Sequence, residues 1–362
     1  MKKVIKNTVF IMLCMLLHTL ENKLNSQPQP EFICGTCKEH AEQSMLSSQN
    51  NSLSKVTTPF GGDRNRIPTT GVFKILIVFA QFYNETGDVG GWGYNDTLPY
   101  FASTIIDSVV RPAYTNYPPF SVSSFFKEMS NGNFNVIGKV YPRVITTNYP
   151  QSYYHNFYTN SGHDFYKNGF VNLEVLKKVD SLDRLYNNIN FTEFDNWSRT
   201  PYPNQTFLDN YTIQNTTDGQ IDLVVIIYRC KSTDLFSEFT GIACLSELRT
   251  STTHTELTKS ANFSEYITNE GVKIGGVYHD ALEPKENNRY YKSGGITVKY
   301  LGASLRALTN VIVHEIGHYL GGTEHSYGYG FGSGASMGGA GSLYAACMSS
   351  IEKKSIRLFK FY

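Results

Sequence analysis

His314-Glu315-Ile316-Gly317-His318, continued by Tyr319-Leu320-Gly321-Gly322-Thr323-Glu324-His325, is the stretch around which this sequence is organised. Two histidines four residues apart project from one face of an α-helix, where their imidazoles can hold one metal ion. Glu315 follows the first histidine directly and leans to the side of that face, within reach of a metal-bound water. The flanking residues fit a helix: Leu305, Leu308, Ile312, Ile316 and Leu320 recur at three- and four-residue spacing. Ile316 lies nearly opposite His314, so the pattern predicts an apolar back that is buried and a liganding front. Gly321 and Gly322 can stop the helix, because glycine takes the left-handed cap conformation without strain. The chain then bends, and Glu324 or His325 can return to the metal, for which zinc is the expected ion.

Outward from this helix, the dense β-branched and aromatic run Val72 to Ala80 predicts a central strand. Leu98 to Arg111 has helical spacing. Ser121 to Met129 predicts a helix with Ser121 as N-cap, Asn131-Gly132-Asn133 a turn, and Phe134 to Val140 a strand. Residues 141–170, crowded with Tyr, Phe, Asn and His, read as a long irregular surface segment or as the lining of a substrate cleft. His155 and His163 have no partner there at metal spacing. Val171 to Leu185 predicts an amphipathic helix. Asp218-Gly219-Gln220 marks a turn before a second buried strand, Ile221 to Tyr228, and Val272 to Val277 a further one. Strands interleaved with helices indicate an α/β (α+β) domain, a mixed twisted sheet with the histidine-bearing helix on one face.

With 362 residues and 41% hydrophobic content, the chain has ample material for a core. A net charge of +1 argues against nucleic-acid or membrane-surface binding. Residues 1–27 read as a secretory signal: Lys2, Lys3 and Lys6 form a basic start. The apolar run Val9 to Leu17 is too short to span a bilayer, and cleavage is expected near Ser26. Residues 28–70 are polar and carry Pro28, Pro30, Pro59 and Pro68, as a pro-segment or linker would. That leaves 71–362 as the main domain of an exported protein with no membrane span. Export permits disulfides. Cys230 with Cys244, and Cys34 with Cys37, are candidate pairs, two idle thiols or a metal site being the alternatives for the second, and Cys347 is left over.

Three stretches give the chain a resemblance to a known family. They are Lys74 to Phe82; Ser121-Val122-Ser123-Ser124-Phe125-Phe126-Lys127-Glu128-Met129-Ser130-Asn131-Gly132-Asn133-Phe134; and Phe194-Asp195-Asn196-Trp197 with Asp218 to Val225 and the His314–His325 segment. In that order they resemble the M6 family, secreted zinc peptidases of the immune-inhibitor-A type, within the broader metzincin-like group. The resemblance implies that His314 and His318 are zinc ligands and Glu315 the catalytic base. Where the family carries an acidic pair, this chain has Glu324-His325. One of the two is then the third ligand, with His325 preferred because zinc favours imidazole, and Glu324 the alternative. Gly334-Ala335-Ser336-Met337-Gly338-Gly339 is similar to the methionine turn beneath the metal, which makes Met337 a packing residue there; a Gly/Ser loop is the other reading. Tyr344 is a candidate hydrogen-bond donor to the oxyanion. The family also implies structural calcium, for which Asp218 and Asp222 are candidate ligands. Its chains go on where this one ends at Tyr362, so the resemblance implies a truncated C-terminus. The expected function is a secreted, monomeric zinc endopeptidase acting on proteins or peptides. The alternative is a catalytically inactive binding or adhesive protein on a peptidase scaffold.

Overall fold

Strand β1, Gly71–Gln81, forms the spine of the structure, and its residues from Ile75 to Ala80 are fully buried. Period-two alternation sends its side chains into two separate cores. Phe73, Ile75, Ile77 and Phe79 join one, while Leu76, Val78 and Ala80 join the other. Burial on both faces is what an unbroken apolar run requires. The computed structural model describes residues 70–113, 116–154, 167–186, 189–201, 211–231, 241–243, 245, 248, 266–275, 277–279, 289–291 and 294–321. The expected signal segment 1–27, the polar segment up to residue 69, His155, His163 and everything after Gly321 lie outside the described residues.

The strands that follow are β2 (Phe134–Thr146), β3 (Ser198–Pro201), β4 (Tyr211–Gln214), β5 (Leu223–Arg229), β6 (Gly241–Ile242), β7 (Tyr266–Ile267), β8 (Lys273–Ile274), β9 (Val277–His279), β10 (Arg289–Tyr291) and β11 (Gly294–Tyr300). Five of them make the central sheet, in the order β2-β1-β5-β11-β6. β2, β1, β5 and β11 run parallel, and β6 closes the row antiparallel to β11. The others pair as the two-stranded ribbons β3–β4, β7–β8 and β9–β10. This is the mixed α/β class that the sequence indicates.

Helices α1 (Ala102–Ile105), α2 (Val122–Met129) and α4 (Leu305–Gly321) place residues in the core on one face of the sheet; α3 (Lys167–Tyr186) covers the other face. Ser121 caps α2 as expected, its side chain accepting from the Ser124 amide at 3.0 Å. That cap contributes about 1 kcal/mol. Burying Val122, Phe126 and Met129 contributes roughly 5–9 kcal/mol before entropy, so packing decides that α2 forms here.

Several expectations are corrected. Leu98 to Arg111 is helical only over Ala102–Ile105. The Asp107 carboxylate accepts from the Val109 amide and pairs with Arg111, which offers this backbone a non-helical alternative. β2 runs on to Thr146, so the first part of the segment expected to be irregular is sheet; its partner β1 is long enough to pair with it to Gln81. Val272 to Val277 is not one strand: Lys273–Ile274 and Val277–His279 belong to different ribbons.

Candidate active site

β11 leads into α4 through a short turn ending at Ser304. The Ser304 hydroxyl accepts from the Ala307 amide at 3.3 Å, and its carbonyl from the Leu308 amide at 3.0 Å. α4 then continues unbroken to Gly321, so positions 314 and 318 stand one helical turn apart on one element. Leu308, Ile312 and Ile316 enter the core as predicted. Val311 and Val313 enter it too, and His314 and Glu315 are themselves buried, at 2% and 0% exposure. The expected one-sided helix is therefore enclosed much more widely. It packs on β11, β6 and α2 at once, which leaves little of its circumference for solvent.

One of these neighbours, β6, approaches the Glu315 side chain directly. A Cβ built on Gly241 of β6 would lie 2.6 Å from Val311 Cγ1, 2.9 Å from Glu315 Oε1 and 3.1 Å from Glu315 Cγ. Only a residue without a side chain fits so close a backbone approach. The Glu315 carboxylate thus lies against the backbone of the outermost strand among the described residues. Neither β6 nor β11 is anticipated from the sequence. For β11 the signal is present: Ile296, Val298 and Tyr300 alternate with Thr297 and Lys299. β6 is two residues in a polar stretch and carries no local signal.

Among the described residues, no group of three or more His, Cys, Asp or Glu is placed to hold a metal ion. The third-ligand candidates His325 and Glu324, together with Met337 and Tyr344, lie outside the described residues. The aspartates considered for calcium accept from backbone amides. Asp222 Oδ2 accepts from the amides of Asn196 (2.9 Å) and Trp197 (3.1 Å), and Asp218 Oδ1 from the amide of Gln220 (3.0 Å). Neighbouring Asp195 accepts from the amides of Asp218 and Gly219 at 2.9 and 2.8 Å. These carboxylates bind together the turns that feed β5.

Cys230 is a free, buried thiol, which overturns its pairing with Cys244. Its side chain belongs to the core on the α3 side, and burial pushes the thiol far above its ordinary range. Its neighbour Arg229 is fully buried and was not singled out from the sequence. The guanidinium donates to the carbonyls of Trp92 (2.9 Å), Glu85 (2.8 Å) and Gly87, and the Glu85 carboxylate lies 3.7 Å away. Burial lowers the Arg229 pKa and raises that of Glu85. This cluster staples residues 85–92 to the end of β5 and has no evident part in chemistry.

No helix among the described residues is long and apolar enough to cross a membrane. A scan against protein-family models finds no match, and no curated protein matches the chain.

Proposed function

We propose that this chain is a secreted zinc-dependent endopeptidase of the metzincin-like group, acting as a monomer on proteins or peptides, with α4 as its active-site helix. One observation carries the reading: Glu315, flanked by histidine positions 314 and 318 on a continuous helix, lies against the backbone of the outermost strand among the described residues.

The donor chemistry fits zinc. Imidazoles at positions 314 and 318 are spaced for one ion, with His325 or Glu324 to complete the set. A divalent cation on the adjoining residues would place positive charge beside the buried Glu315 carboxylate. When bound, zinc acts as a Lewis acid that acidifies water and polarises a carbonyl.

The protein's own residues do the rest. An extended peptide can align along β6 by backbone hydrogen bonds, as strands add to sheet edges. Its carbonyl then passes next to Gly241 and so next to Glu315. Glu315 takes a proton from the attacking water and delivers it to the departing amide nitrogen, so one carboxylate serves both halves of the reaction. The packing of α4 on two strands and a second helix fixes the carboxylate's position before substrate arrives, which is where much of the rate gain from orientation arises. The basic and apolar start of the chain supports export.

Glu315→Gln tests the proposal. The variant is expected to retain zinc at the wild-type stoichiometry while casein or gelatin hydrolysis falls by at least a hundredfold. Hydrolysis at the wild-type rate in that variant would refute it. Absence of hydrolysis by the zinc-loaded wild type would favour the inactive binding protein instead.

A further inference from the structure

Among the described residues, β6 makes two ladder positions with β11, Gly241 opposite Val298 and Ile242 opposite Thr297. So short a pairing does not by itself hold an edge strand in register. A second anchor lies on the opposite face of the sheet. Asn172 of α3 is fully buried, and its Nδ2 donates to the Leu245 carbonyl at 2.9 Å and to Thr297 Oγ1 at 3.0 Å. The Tyr228 hydroxyl donates to Asn172 Oδ1 at 2.8 Å. The Leu245 carbonyl demands a donor, which fixes the orientation of the amide. One side chain therefore ties together β5 through Tyr228, β11 through Thr297, and the chain leaving β6 through Leu245.

The anchor is reinforced by shape. The Leu245 side chain is buried and occupies the space that a side chain at Gly295 would need: a Cβ there would fall 2.1 Å from Leu245 Cγ. Leu245 thus has one place to sit, and it comes three residues after Ile242. Both ends of the constraint converge on β6, since Thr297 is itself the ladder partner of Ile242.

We infer that Asn172 is a positioning residue for the active site, acting through the sheet: it holds β6 in register so that Gly241 stays against Glu315. This rests on the peptidase reading, and it needs no contact between Asn172 and substrate.

Asn172→Leu in the full chain, which keeps the size and removes all three hydrogen bonds, tests it by two readouts. Native-state hydrogen exchange at the amides of 241–245 is expected to accelerate at least tenfold, with β1 and β5 amides unchanged. KM for a peptide substrate is expected to rise at least tenfold, with kcat and zinc content near wild type. A residue that only stabilises the fold would lower Tm and leave KM and the 241–245 exchange as in wild type; that result overturns the inference. If Asn172→Leu does not fold, Thr297→Val removes a single bond of the same clamp, and at least a threefold change in the same exchange rates is expected; no change refutes it. Exchange is read without turnover, so an inactive wild type would remove the peptidase reading while the exchange data still decide whether Asn172 holds β6.

Discussion

Gly241→Ala inserts one methyl group at the closest approach between β6 and α4. Its nearest contacts would be 2.6 Å to Val311 Cγ1 and 2.9 Å to Glu315 Oε1. Comfortable carbon–carbon contact begins near ~3.5 Å, so the strand or the helix must yield by about 1 Å. The helix is enclosed by β11 and α2, whereas β6 is outermost and has two ladder positions among the described residues. The strand is therefore the part expected to move. Overpacking of this kind costs about 1–3 kcal/mol. With ~2 kcal/mol of it expressed in the placement of substrate against Glu315, kcat/KM falls ~30-fold. Tm falls by ~2–4 °C for each kcal/mol of stability lost. The assay is initial-rate hydrolysis of a quenched fluorescent peptide, with Tm measured on the same preparation. If kcat/KM stays within twofold of wild type and Tm does not change, then β6 does not lie against Glu315 and the reasoning fails.

Arg229→Met leaves three loop carbonyls and Glu85 without their buried cation, and is expected to cost about 3–5 kcal/mol, read as a lower midpoint in urea. Cys230 should resist alkylation by iodoacetamide in the native protein at pH 8 and react on unfolding, because burial keeps it a thiol; mass spectrometry of the peptide checks this. Tyr300, whose hydroxyl donates to the Gly90 carbonyl, is pushed up to about 12 by burial from an ordinary 10.0. The folded state therefore holds its proton where the unfolded state releases it. Tyr300's contribution is complete below pH 10 and is lost as pH rises towards 12, so wild-type Tm should fall more steeply across that window than Tm of Tyr300→Phe.

Much of the architecture was legible in one dimension. Ile75 to Ala80 had to be a doubly buried strand, because it holds no polar residue to give it a wet face. Ser121 marked the start of α2 through its side-chain oxygen. The helical register of Leu308, Ile312 and Ile316 located α4, and with it the candidate base. These are local signals, each complete within a few residues of chain. Leu98 to Arg111 misled because its apolar spacing is real but serves burial of a turn: Phe101, Ala102, Ile105 and Ile106 all reach the core. Cys230 and Cys244 looked paired by separation alone, and separation says nothing of which way a thiol points.

The chemistry on offer is written in the chain: two imidazoles and a carboxylate at helical spacing, on a helix whose apolar pattern seats it on a sheet. What that carboxylate meets depends on contacts between distant segments. Gly241, Leu245, Asn172 and Thr297 are scattered over more than a hundred residues, and none carries a pattern that names its partners. Their relation depends on β11 returning between β5 and β6, a long-range pairing whose specificity resides in complementary shape and hydrogen bonding across distant segments. Periodicity reports which face of an element is buried; it is silent on which other element buries it.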